Sequence, residues 1–266
     1  MPSNTLDHLR SVLRPYAKAK VWNKCFCIGA HKTGTTTMNQ LMGLLGYDCA
    51  PQSEVEMATT HQVQLGIYRE LKEIVSRYDF FQDSPFAHGV VFVALDALFP
   101  GSKFILTYRD PEEWWRSRIN FDARRFGIRP DEVNYETVSS ICSENIAKNY
   151  LRIGYGRGNG TYWKTACVND LDLTVYDNPS LLYDKDHNID LYVSRRDSIL
   201  KYFSKRPSDL LILDLAKEVD ISKVVRFLGM PEWVNFAMPR ANSTDGASNS
   251  MSIQILDPML VKVLSA

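Results

Sequence analysis

Net charge is what this 266-residue sequence lacks: 31 Lys and Arg stand against 31 Asp and Glu. A general polyanion binder carries a strong basic excess, so broad nucleic-acid binding is disfavoured while a local anion site is not. No stretch of about 18 uninterrupted apolar residues occurs, so no transmembrane segment is expected. The opening MPSNTLDHLRSVLRPYAKAK has basic residues but no long apolar core, and no signal peptide is read there. The cysteines number five, an odd count spaced neither as a disulfide framework nor as a zinc site. Cys25 and Cys27, which would point the same way on a strand, read as buried thiols of a reducing compartment. No Asp, Glu and His set has metal-ligand spacing, so no metal is expected. Internal repeats and low-complexity linkers are also missing. With 45% hydrophobic and 23% charged residues, the chain reads as one globular domain over 1–266.

What is present is an alternation of short apolar runs and amphipathic stretches. Residues 1–20 suit a helix. Cys25-Phe26-Cys27-Ile28 suits a buried strand ending at Gly29, and Met38, Leu41, Met42 and Leu45 then share one face of a helix stopped by Gly46. A single helix is expected over 55–78, a strand at Tyr78–Gln82, and a helix over 86–98. Lys103–Tyr108 is the clearest strand. Asp110 suits the N-cap and Pro111 the first position of the helix that follows. Residues 135–151 and 194–205 read as helices, Leu210–Leu213 as a buried strand, and Ile221–Leu228 as a helix closed by Gly229. The alternation predicts an α/β fold with a central parallel sheet flanked by helices and its ligands beyond the carboxyl ends of the strands.

The stretch from Gly29 to Thr37, GAHKTGTTT, carries the most chemistry. A buried strand delivers a two-glycine loop that becomes a helix N-terminus, a ready cradle for a phosphate. Gly29 and Gly34 keep the glycine spacing of an ATP-binding Walker loop, but Thr35 stands where that loop has lysine. Lys32 lies inside the loop instead, close to the first cradled phosphate, which argues against ATP hydrolysis. Thr33, Thr35, Thr36 and Thr37 offer hydroxyls. After the strand KFILTY, Arg109 can grip a phosphate bidentately, and Ser117, two turns into the next helix, can add a hydroxyl. The bland alternatives are an ion pair of Arg109 with Asp110 or Glu113, and a small packed residue at Ser117.

At these residues the chain resembles the sulfotransferases that use 3′-phosphoadenosine 5′-phosphosulfate (PAPS). Lys32-Thr33-Gly34-Thr35-Thr36 matches the family's K-T-G-T-T loop for the 5′-phosphosulfate in a P-loop-like fold. Arg109-Asp110-Pro111 with Ser117 matches its 3′-phosphate motif. Leu210–Asp214, Phe227–Pro231 and Pro239-Arg240-Ala241-Asn242 resemble the closing segment of the bacterial and carbohydrate-type branch. The R-K-G segment of the cytosolic branch is not found, and Arg240, Arg195 and Arg196 are its possible replacements. The resemblance implies PAPS as donor, no metal, and in-line sulfuryl transfer to a hydroxyl or amine of a small-molecule, glycan or lipid acceptor. It makes Lys32 the stabiliser of the leaving oxygen. It also makes Asp83, just before Pro85, the candidate base, with His88 and His31 as competitors and an N-capping role for Asp83 as the plain alternative. Residues 122–193 read as an acceptor-side insertion or lid, with Tyr150, Tyr155, Tyr162, Trp163 and Tyr176 open to acceptor stacking or to packing. Arg116, Arg118, Arg124, Arg125 and Arg129 form a basic run that is either a solvated face or an anion contact. A cytoplasmic enzyme is expected; the oligomeric state is not readable. The competing functions are a P-loop kinase, needing a magnesium-binding acid such as Asp214, and an inactive nucleotide-binding module.

Overall fold

The computed structural model describes residues 3–64, 66–144, 167–168, 175–176, 181, 183–239 and 253–265. In chain order their elements are α1 (Ser3–Lys18), β1 (Cys25–Cys27), α2 (Thr35–Leu44), α3 (Gln52–Gln64), α4 (Arg69–Ser76), β2 (Phe80–Phe81), α5 (Val91–Leu98), β3 (Lys103–Thr107), α6 (Pro111–Phe126), α7 (Tyr135–Glu144), β4 (Cys167–Val168), β5 (Val175–Tyr176), α8 (Lys185–Phe203), β6 (Leu210–Leu213), α9 (Ser222–Leu228) and α10 (Pro258–Ser265). The strands β2, β1, β3 and β6 lie side by side in that order, all parallel, as the alternation of elements requires. β4 and β5 form a separate antiparallel pair.

β1 shows why such a sheet needs helices on both faces. Cys25 and Cys27 point into a core with Leu9 and Leu13 of α1, Met38 and Leu41 of α2, and Val224 and Leu228 of α9. Phe26 and Ile28 point the other way, into a core with Leu71, Val75, Phe92, Leu95, Ile199 and Phe203. A strand buried on both sides is apolar throughout, and CFCI is. Phe26 centres the second core, its ring centroid 5.4 to 5.8 Å from those of Phe81, Phe86, Phe99 and Phe104.

Sequence expectations need correction at four elements. The helix read over 194–205 begins at Lys185, and the strand Leu210–Leu213, read as buried, lies at the sheet edge with only Leu213 buried and Ile212 exposed. The helix expected over 55–78 is two helices, α3 and α4, parted at Gly66, whose φ of +75° lies in the left-handed region that glycine tolerates best. The helix expected over 86–98 begins only at Val91, because residues 84–89 form turns closed by the bonds from Ala87 N to Asp83 O (2.9 Å) and from His88 N to Pro85 O (3.1 Å).

Candidate active site

The strand order sets where a ligand can lie. The chain leaves β1 for β2 on one side, and leaves β3 for β6 on the other. The connections therefore diverge between β1 and β3, opening a crevice beyond their carboxyl ends. The loop after β1 and Arg109 after β3 flank that crevice.

Tight packing shapes the loop. A Cβ on Gly29 would stand 2.0 Å from Thr107 Oγ1 and 2.5 Å from Thr107 O, so only glycine lets β1 pass β3 here. The Thr33 hydroxyl donates to Ala30 O at 2.6 Å and lies 2.6 Å from Thr107 Oγ1, which ties the loop to β3. Among the threonines expected to face a ligand, Thr33 thus has its hydroxyl engaged by protein, while Thr35 and Thr37 are buried and Thr36 is exposed. Lys32 and Gly34 adopt left-handed backbone conformations, φ +69° and +100°, which curl the chain under α2. α2 starts at Thr35 with no side-chain cap, and its first intrahelical bond runs from Met38 N to Gly34 O. A helix start without a side-chain cap leaves backbone N–H groups able to receive an anion.

Lys32 reaches across to α6, where its Nζ lies 4.0 Å from the centre of the Phe121 ring. Burial lowers its pKa, and the nearby charges of Arg124 and Arg109 lower it further against the pull of Asp83 and Asp122. Cations thus gather here with mutual repulsion that an anion would relieve.

α6 begins as the sequence predicts: Asp110 accepts from Glu112 N (3.0 Å) and Glu113 N (3.1 Å). Both bonds end on Asp110 Oδ1. The ion pair of Arg109 with Asp110 or Glu113 does not form, and among the described residues the Arg109 guanidinium has no ion pair or hydrogen bond. Ser117 is half-buried on the same helix face as Trp114 and Phe121. Trp114 Nε1 donates to His31 O at 3.0 Å, so this face abuts the loop.

The third wall follows β2. Asp83, φ +64°, turns its carboxylate onto His31 Nδ1 and also accepts from Ser84 N at 3.1 Å. It caps no helix, which removes the plain alternative for this residue. A carboxylate partner holds a proton on His31 Nδ1, so whenever the ring is neutral Nε2 is its basic atom. Nε2 faces Ser84 Oγ at 3.4 Å and His88 Nε2 at 3.5 Å, and His88 Nε2 lies 3.0 Å from Ser84 Oγ. Burial pushes the Asp83 carboxyl up, but His31, His88 and the Gln52 amide together outweigh it and hold the carboxyl below its ordinary range. Glu56, also bonded to Gln52, is pushed up to about 7 by burial and by the charge of Asp83. Gln52 and Glu56 were not singled out in the sequence, since on α3 they read as ordinary polar residues of a helix.

The other candidates separate. Arg195 is buried and donates to Gly89 O (3.0 Å) and Ile28 O (2.8 Å), and Arg196 binds Tyr108 Oη (2.8 Å) and Asp197, so both work as structural braces. Asp214 accepts from Ala216 N (3.2 Å) and pairs with Lys217 Nζ (2.8 Å), a local turn. Arg118 donates to Asn188 Oδ1 at 2.9 Å and Arg129 pairs with Asp131 and Glu132, which makes these members of the basic run structural. Arg240, Tyr150, Tyr155, Tyr162 and Trp163 lie outside the described residues, as does the side chain of Tyr176. Among the described residues, no group of three or more His, Cys, Asp or Glu is arranged to hold a metal, and no helix is long and apolar enough to cross a membrane.

A comparison with curated proteins finds no match. Residues 24–247 match the family model described as Sulfotransferase domain, a span that takes in the loop after β1, the walls after β2 and β3, and the closing segment. The chain belongs to the sulfotransferase domain family.

Proposed function

We propose that this chain moves a sulfuryl group from PAPS to a hydroxyl or amine of a small-molecule, glycan or lipid acceptor. The observation that carries the reading is the juxtaposition, across one crevice, of an uncapped helix start bearing Lys32 and an Arg109 guanidinium without an ion pair among the described residues. Two separated cationic grips suit a nucleotide with phosphates at both ends, and Ser117 stands on the helix that Arg109 introduces. The donor supplies an activated sulfuryl group on a phosphate oxygen. Lys32 is set to hold the negative charge that grows on that oxygen as its bond to sulfur breaks. The N–H groups at the start of α2 hold the 5′ end in line.

The acceptor must lose a proton as its oxygen or nitrogen bonds to sulfur, and the wall after β2 is placed to take it. Asp83 stays ionised at neutral pH and is a weak base by itself. Its role in this reading is to hold His31 in the tautomer whose Nε2 accepts the proton. His88, 1% exposed, supports Ser84 and His31 from behind.

The test is a calorimetric titration with 3′-phosphoadenosine 5′-phosphate (PAP) against ATP–Mg, on wild type, Arg109→Ala and Ser117→Ala. Alongside it, PAPS is incubated with a panel of alcohols, phenols, sugars and amines and sulfated products are read by mass. Tight PAP binding lost in the variants, with a mass gain of one sulfuryl group, is the expected result. Preference for ATP–Mg with indifference to Arg109 and Ser117 would overturn it.

A further inference from the structure

We infer that Tyr192, on α8, is a positioning residue that sets the Arg109 grip and thereby the selectivity for a 3′-phosphorylated nucleotide; this rests on the function proposed above. β3 ends at a last sheet bond, from Tyr108 N to Leu213 O at 2.8 Å. Beyond that rung Arg109 has left the ladder, and its peptide groups need partners from elsewhere. The Tyr192 hydroxyl supplies both: it accepts from Arg109 N at 3.0 Å and donates to Arg109 O at 3.1 Å. Asp110, the next residue, is fixed by its own cap on α6. Arg109 is thus clamped on both sides of its Cα while its guanidinium has no ion pair among the described residues.

The ring of Tyr192 is equally constrained. It stacks on Trp114 at 4.3 Å and 4°, and on Tyr108 at 5.1 Å and 9°. Arg196 covers the outer face of Tyr108, its guanidinium 4.8 Å from the ring centre. Trp114, at the other end of the stack, donates to the carbonyl of His31, next to Lys32. One stack therefore joins the arginine after β3 to the loop after β1. Neighbouring turns of α8 brace the same region. Arg195 holds Ile28 O and Gly89 O, and Asn188 accepts from Arg118. Asn188, Tyr192, Arg195 and Arg196 fall on one face of a helix, so this face binds the ends of β1 and β3, the segment before α5, and α6. A phenylalanine at 192 could fill the stack. Only a hydroxyl can take both peptide groups of Arg109.

The two ends of the stack can be tested apart by calorimetry with PAP and with 5′-AMP, which lacks the 3′-phosphate, while melting temperature is recorded for each protein. Tyr192→Phe keeps the ring and removes the hydroxyl. PAP affinity should fall about tenfold while 5′-AMP affinity stays within about twofold. Trp114→Phe keeps an aromatic ring but removes the donor to His31 O, and should weaken both ligands by similar factors. Equal losses for both ligands in Tyr192→Phe would mark simple loosening and overturn the inference, as would an unchanged PAP to 5′-AMP ratio. A wild type that binds no PAP would overturn the proposed function and this inference together. A wild type that binds PAP, with selectivity untouched in Tyr192→Phe, overturns this inference alone.

Discussion

The Lys32 ammonium lies over the centre of the Phe121 ring, 4.0 Å from it, with no carboxylate as its direct partner among the described residues. An aromatic face holds a cation in place without neutralising it, so the charge stays available to an anion in the crevice. Lys32→Ala should therefore lower kcat for sulfuryl transfer by about 10²–10³, while PAP affinity falls much less. Single-turnover release of PAP separates the two. Equal losses in affinity and rate would place Lys32 in ground-state binding alone.

Arg109 and Ser117 should differ in degree. A charge-assisted contact contributes more than a neutral hydroxyl, so Arg109→Ala should weaken PAP by about 100-fold and Ser117→Ala by about tenfold. Binding of 5′-AMP should barely change in either. Titration calorimetry reads both ligands, and a parallel loss of 5′-AMP would move these residues away from the 3′-phosphate.

If Asp83 works by orienting His31, their effects should not add. Asp83→Asn and His31→Gln should each cost about 10²–10⁴ in kcat, and the double variant little more than the worse single. Additive losses would mean that the two act separately. Asp83 also enters acid stability. Its folded pKa is depressed, so its stabilisation is present above the unfolded carboxylate value and lost as pH falls through the folded one. Asp83→Asn should accordingly lower the melting temperature at pH 7, and the difference should shrink as pH falls below the ordinary carboxylate range, as scanning calorimetry would read.

Glu56 runs the opposite way. Its folded pKa is raised to about 7, so the carboxyl is compatible with folding below the unfolded value of about 4.5 and becomes a penalty as pH rises through 7. Glu56→Gln should raise the melting temperature more at pH 8 than at pH 5. A gain independent of pH would show that Glu56 ionises without hindrance.

Gly29→Ala should fail outright. The new methyl would meet the Thr107 backbone at 2.5 Å, where neither β1 nor β3 can shift cheaply. Poor soluble yield and loss of PAP binding are expected, and partial rescue by Thr107→Ser would not be, since the close atoms include Thr107 O and N.

What was legible in the sequence was local. Gly29, Lys32 and Gly34 announced the loop because glycines and an apolar run state a strand-to-helix turn within a dozen residues. Asp110 and Pro111 announced α6, and the cap is formed by those residues as read. Leu210–Leu213 is a strand at the expected bounds. The break at Gly66 was missed because the apolar stripe of Ile67, Leu71, Ile74 and Val75 lies wholly after it and carries no mark of where its helix begins. The parts decided only in three dimensions are side-chain bonds between distant segments: Tyr192 to Arg109, 83 residues apart, Arg195 to Ile28, 167 apart, and His31 to Asp83. No periodicity encodes such pairs, since they follow from the strand order β2-β1-β3-β6, which brings the ends of β1, β2 and β3 to one rim. The residues alone place the glycine loop and the α6 cap along the chain, because backbone conformation and capping are short-range. The tertiary structure alone decided which groups brace them and which imidazole the carboxylate faces, because burial and hydrogen bonding there depend on neighbours supplied by the whole sheet.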